Sequence, residues 1–291
     1  MCLNIVESEK KVSSHDANSR ILCKGSENQI AGYCFPLDPT VPGGILLIMK
    51  RPFAQLFLSC VSILFLVSVT SARTVVYVSE SKDNRIGVFS LDKSSGDLSR
   101  IGQVALAGAP GSLTTNSDNS LLYASVRTAG QFATLKIDQD TGLLNLVKTA
   151  PPSGGSSYVF LDKTEQWLLS AYYREGLVSV SRIENGIVSG EPVSVLDVGL
   201  KAHCIQVDPS NQFAFSPHPV DLNRIDQFHF DKNTGQLSLN TPPAVLAGKG
   251  QGPRHLQFHP NGRWVYVVNE QGKSVSVYDY DSKAGTLERG D

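Results

Sequence analysis

Gly252-Pro253-Arg254-His255-Leu256-Gln257-Phe258-His259-Pro260-Asn261-Gly262-Arg263-Trp264-Val265-Tyr266-Val267-Val268-Asn269-Glu270 reads as two short strands joined by a Pro-Asn-Gly turn. Gly, Pro and Asn supply the backbone freedom or preset angles that tight turns need, and the flanking apolar, aromatic and β-branched runs have strand length and composition. An Arg-His pair opens the first strand and a Glu closes the second. That is more ionisable chemistry than strand termini usually carry, so the stretch suggests both a β unit and a site.

The unit recurs. An apolar strand followed by acid-x-x-x-Gly appears at Leu91-Asp92 to Gly96, Ile137-Asp138 to Gly142, Phe230-Asp231 to Gly235 and Tyr280-Asp281 to Gly285, with a shorter form at Ile183-Glu184-Asn185-Gly186. The acids at 92, 138, 184, 231 and 281 lie 46 to 50 residues apart. Between them runs a second turn series: Ser117-Asp118-Asn119, Asp162-Lys163-Thr164, Asp208-Pro209-Ser210 and His259-Pro260-Asn261-Gly262. Each precedes an apolar run, over 121–126, 167–173, 213–216 and 264–268. No stretch after Ala72 has helical periodicity. Four short strands per period of this length predict an all-β fold, a β-propeller of four-stranded blades. A β-sandwich has the same strand content but no reason to repeat its turn chemistry at fixed intervals.

Three strands are expected within 74–106, then four blades, the last ending inside its outer strand near Leu287. A propeller closes by pairing its terminal strands, so about five blades predict a chain truncated at its C-terminus. Upstream, Met49-Lys50-Arg51-Pro52, an apolar run over 53–70 and Ser71-Ala72 predict a signal peptide over 49–72, cleaved after Ala72, and hence export to the periplasm or exterior. An uncleaved anchor is the competing reading, because the run approaches bilayer-spanning length. Residues 1–48 are polar and unpatterned and are expected to be disordered or an over-extended start, with Met49 the true initiator. The propeller domain is then 73–291.

The formal net charge of the 291 residues is −1, and no basic cluster suggests a nucleic-acid groove or a membrane patch. Once the signal is removed, no membrane association is expected. Four of the five cysteines precede residue 73, leaving Cys204 alone in the domain, so the fold rests on its core rather than on disulfides. The histidines lack ligand spacing, so no metal is expected. No phosphate loop is present, and no cofactor is expected.

Innermost strands of a propeller begin at one mouth of its channel. The equivalent positions are Gly111-Ser112-Leu113, Gly155-Ser156-Ser157, Ala202-His203-Cys204 and Arg254-His255. Second strands end at Val126-Arg127, Tyr172-Tyr173, Pro217-His218 and Asn269-Glu270. A lone His at a strand start is commonly structural, and Arg254 with Glu270 could be a blade-to-blade ion pair. Together, an Arg, a Glu and one or two His on one channel favour a site. His229 and His259, at a strand end and a turn, are set aside.

At Gly252-Pro253-Arg254-His255, at Val268-Asn269-Glu270 and at His203 before Asp208-Pro209, residues 74–291 resemble the lactonase family of seven-bladed propellers. That family includes propeller-type 6-phosphogluconolactonase and carboxymuconate lactonising enzyme. Cys204 and the segment 217–225 depart from its usual pattern. The resemblance implies that His203, Arg254 and Glu270 are catalytic, and His255 and His218 are the further substrate-binding candidates. The implied partner is a small lactone, or a sugar acid carrying carboxylate or phosphate, hydrolysed by metal-independent acid/base chemistry. A muconate-type cycloisomerase and a non-catalytic exported binding or scaffold propeller are the alternatives, the latter because 265–269 and 275–279 also resemble Tyr-Val-Thr-Asn repeats.

Overall fold

The computed structural model describes residues 3–7, 73–151 and 154–290, with backbone only for 3–7. These form five antiparallel four-stranded sheets, consistent with the blades of a propeller. The first holds β1 (Leu3–Glu7), β2 (Thr74–Glu80), β3 (Arg85–Leu91) and β4 (Leu98–Ala105). The second holds β5 (Pro110–Thr115), β6 (Leu121–Val126), β7 (Gln131–Ile137) and β8 (Leu144–Ala150). The third comprises β9 (Tyr158–Leu161), β10 (Trp167–Tyr172), β11 (Leu177–Glu184) and β12 (Ile187–Asp197). The fourth comprises β13 (Gln206–Val207), β14 (Phe213–His218), β15 (Arg224–Asp231) and β16 (Gln236–Leu246). The fifth comprises β17 (Pro253–Phe258), β18 (Trp264–Asn269), β19 (Ser274–Asp281) and β20 (Thr286–Arg289).

Residues 74–106 supply three strands, as expected. The fourth comes from the polar leader, where β1 pairs antiparallel with β2 from Leu3↔Val78 to Glu7↔Thr74 and satisfies its edge. These five residues depart from the expectation that 1–48 lies outside the domain. The proposed signal segment 49–72 and the rest of 1–48 fall outside the described residues. Among those described, no helix is long and apolar enough to cross a membrane.

Alternation along each strand sends successive side chains to opposite faces, and the core therefore lies between blades. Tyr77, Val88, Leu122 and Leu135 are buried between blades one and two, and Tyr123, Phe132, Leu168 and Ile183 between two and three. Trp167, Val180, Phe228 and Leu237 fill the next interface, and Phe215, Phe258, Val265 and Tyr280 the last. Middle strands β10 and β14 are buried on both faces, whereas β18 alternates, with Tyr266 and Val268 exposed.

The repeated glycines have two jobs. Gly142, Gly186, Gly235 and Gly285 adopt positive φ, which closes the turn after each acid. Each is also pressed on the start of the preceding blade's second strand. An added Cβ would lie 2.5 Å from Val75, 2.6 Å from Leu121, 2.6 Å from Trp167 and 2.0 Å from Phe213, respectively. Polar stitches reinforce the contact: the Tyr77 and Tyr123 hydroxyls donate to the carbonyls of Gly142 and Gly186 at 2.8 and 2.9 Å, and the Trp167 indole donates to that of Lys232 at 2.8 Å. Carboxylates hold the turns of the second series at Asp162 and Asp208. Asp208 accepts from the Gln212 and Phe213 amides at 2.9 Å, and Asp162 accepts from the Trp167 amide and, at 2.7 Å, from Asn211 of the next blade.

Candidate active site

One open cavity of about 690 Å³ gathers strand-end residues from four blades. Arg127 follows β6, Gly155 and Ser157 precede β9, Tyr173 follows β10, His203 precedes β13, and Arg254 and Glu270 belong to the ends of β17 and β18. Backbone bonds continue the ladders into these ends: the Arg127 amide donates to Ala109, the His203 amide to Pro217 and the Glu270 amide to Gly252, at 2.8, 3.1 and 2.8 Å.

Arg254 owes its direction to a bulge. Pro253 pairs with Asn269 and His255 with Val268, so one extra residue stands on β17 between the two pairs. A bulge leaves a residue out of the ladder and re-aims side chains. The Arg254 guanidinium Nε lies 3.0 Å from a Glu270 carboxylate oxygen, both side chains being less than half exposed. The preceding Gly252 has φ +66°, and any Cβ there would run into Gln271.

His203 and His255 meet edge to face with ring centroids 4.8 Å apart. Tyr173 packs on the edge of His203, and Tyr158 lies tilted against His255, each at 5.6 Å. Burial, and then the positive charge of Arg254, pushes the imidazolium forms away, taking His203 down to about 3 and His255 to about 4. Both rings are therefore neutral near pH 7. Nδ1 of His203 is buried and has no hydrogen-bond partner among the described residues. His255 lines a smaller recess of about 160 Å³ that shares Arg127, Ser157, His203 and Arg254 with the cavity.

His218 is placed elsewhere, which corrects its reading as a substrate contact. Its side chain is fully buried inside blade four, with Nε2 3.0 Å from Asp226, which Arg224 also pairs at 2.7 Å. Asp226 stands on the neighbouring strand, two residues beyond His218's cross-strand partner Arg224. Spacing along the chain did not reveal that pairing. His259 accepts a turn amide from Asn261 and packs on Trp264, and His229 packs on Phe213. Arg127, Tyr173 and Glu175 were not singled out from the sequence, although Arg127 and Tyr173 stand at the strand ends that it marked.

Among the described residues, no three His, Cys, Asp or Glu side chains are grouped to hold a metal ion.

A family model described as lactonase, 7-bladed beta-propeller, matches residues 68–291. The chain belongs to this family. It is 31% identical over 219 residues to a 6-phosphogluconolactonase of Enterobacter sp. (strain 638), a match covering 74% of this chain and 64% of the relative. It is 32% identical over 215 residues to a 6-phosphogluconolactonase of Pectobacterium carotovorum, again 74% of this chain and 64% of the relative. The chain thus spans less than two thirds of the length of these lactonases. The periplasmic gluconolactonase of Pseudomonas aeruginosa has the same fold, with a TM-score of 0.66 and 22% identity over 75% of this chain and 67% of that one.

The neutral imidazoles carry a stability consequence. A histidine whose folded value lies below its unfolded value of about 6.5 contributes stability above that pH. The contribution falls away on acidification, because the unfolded chain then binds the proton first. Asp92, Asp138, Asp231 and Asp281, held low by hydrogen bonds to turn hydroxyls and amides, act in the same direction over a lower range. Thermal melts should show the melting temperature falling already between about pH 6.5 and 4.5, and His203→Gln should flatten that upper limb. An unchanged slope in the variant would mean that His203 titrates normally.

Proposed function

We propose that the protein hydrolyses a sugar lactone in this cavity by acid/base chemistry of its own side chains. The observation that carries the reading is the convergence of an Arg254–Glu270 pair with an unprotonated His203 in one cavity of a lactonase-family chain. The names of the 6-phosphogluconolactonase relatives support the substrate class.

Hydrolysis adds water to the lactone carbonyl carbon. His203, neutral and lining the cavity, accepts a proton from the attacking water as the carbon–oxygen bond forms. The carbonyl oxygen becomes an oxyanion, and the Arg254 guanidinium stabilises it. Glu270 holds that guanidinium in place. Collapse breaks the bond to the ring oxygen, which takes the proton from His203 and leaves as a hydroxyl. The product is a hydroxy acid that ionises and releases one proton. Because His203 stays unprotonated down to about pH 3, its protonation imposes no acid limb near neutrality.

Acid release from 6-phosphogluconolactone, gluconolactone and muconolactone tests the reading. Turnover of a sugar lactone above the spontaneous rate, with kcat/KM level between pH 5.5 and 7.5 within about twofold, is expected. Turnover of muconolactone alone would favour the cycloisomerase, and none at all a binding propeller.

A further inference from the structure

Arg127 is the strongest feature that the hydrolytic steps leave unused. It stands in the turn after β6, its carbonyl accepting from Gly130 at 3.2 Å. Its stem lies over the start of β5. A Cβ on Gly111 would come 3.0 Å from Arg127 Cδ, 3.1 Å from its Cγ and 2.6 Å from the Ser125 hydroxyl. The side chain is seated because residue 111 is glycine. Gly155 does the same on the other side, where an added Cβ would lie 3.1 Å from the Arg127 carbonyl.

Charge sets Arg127 apart from Arg254. Arg254 faces Glu270, whereas no described carboxylate lies within ion-pairing distance of Arg127. Glu175, the other acid of the cavity, accepts from the Gly155 amide at 3.1 Å. Arg127 also lines both the cavity and the recess, and its charge is felt at His203. Around the recess, Ser79, Ser81 and Ser157 donate their hydroxyl protons to the carbonyls of Gly111, Pro110 and Ala171 at 2.6, 2.6 and 3.0 Å. Those oxygens are left as acceptors, suited to the hydroxyl donors of a sugar and not to an anion. Arg254 also lines the recess but faces Glu270, so the Arg127 guanidinium is the anion-directed donor there without a described carboxylate at ion-pairing distance.

We propose that Arg127 anchors a second anionic group of the substrate, separate from the carbonyl at Arg254, and so selects anion-bearing sugar lactones over neutral ones. The proposal rests on the lactonase reading, and it adds a specificity residue and a division of labour between the two arginines. A guanidinium offers a carboxylate or a phosphomonoester two parallel donors.

The test uses the full chain as wild type, Arg127→Ala and Arg127→Lys, with glucono-1,5-lactone, its 6-phosphate, and a lactone bearing a 6-carboxylate. Wild type should prefer an anionic lactone, and the preferred one names the group. Arg127→Ala should raise KM for that lactone about 10- to 100-fold, the range for loss of a charged hydrogen bond. Neutral lactone should stay within about twofold, and Lys should restore part of the loss. Equal losses on neutral and anionic lactones, or no preference in wild type, would overturn the assignment while leaving the hydrolase intact. If wild type hydrolyses none of the three, the hydrolytic reading fails by itself. Calorimetric titration with 6-phosphogluconate and gluconate then decides Arg127. Phosphate-dependent binding lost in Arg127→Ala supports the anchor, and equal binding of both acids overturns it.

Discussion

Arg254→Ala should lower kcat for lactone hydrolysis by about 10²- to 10³-fold, the cost of removing one donor from a developing oxyanion. The loss should exceed that of any other single replacement in the cavity, because two things fail together. The transition-state charge loses its partner, and Glu270, 3.0 Å away in the intact site, is left facing an incoming carbonyl with no cation between them. Removing one member of a charged pair costs more than the pair itself contributes. His259→Ala is the control: that ring packs on Trp264 and Tyr266 at a turn outside the cavity, and its removal should leave kcat/KM within about twofold. Initial rates of proton release on the two variants decide the matter. Equal losses would place the chemistry on the wrong set of strand ends.

The largest effect on stability should come from Trp167→Ala. The side chain is 1% exposed and fills the interface of blades three and four. Its indole donates to the Lys232 carbonyl, Arg182 lies over the ring at 5.0 Å, and the Gly235 turn rests directly on it. Truncation removes that volume where neighbours on both sides are themselves buried, so a cost of about 3–5 kcal/mol is expected. For a domain of this size that is a fall in melting temperature of roughly 10 °C. Trp264 begins the second strand of the fifth blade but is only partly buried, and its indole donates within its own sheet to Asp279 at 3.1 Å. Trp264→Ala should cost about 1 kcal/mol. Urea titration of both variants would show it, and equal midpoints would mean that the blade interface relaxes to fill the gap.

The strands were readable because their evidence is local. Period-two alternation and turns such as Asp138 to Gly142 need only a few neighbouring residues, and β6 begins and ends where the sequence placed it, at Leu121 and Val126. The family and the strand ends that carry Arg254, His203 and Glu270 were legible for the same reason. What could not be read depended on partners distant in sequence or on irregular backbone. The bulge that turns Arg254 out of the ladder has no composition of its own. His218 looked like a strand-end ligand until register brought Asp226 beside it. Arg127 was visible at its position, but its significance lies in having no described carboxylate at ion-pairing distance, which only the assembled blades show. β1 was hidden because five apolar-rich residues in a polar leader are too short a run to assign.

The cavity draws its residues from four blades, and each blade is fastened to its neighbours by a buried apolar cluster and by a glycine turn seated on a neighbouring side chain. The spacing of Arg127, His203 and Arg254 is therefore the accumulated result of three separate joints. Such a cavity works as a gauge of how the blades are seated. Slack at one joint would shift the two guanidiniums relative to each other without breaking a hydrogen bond within any sheet. Under the proposed division of labour between the two arginines, selectivity then depends on packing far from the cavity.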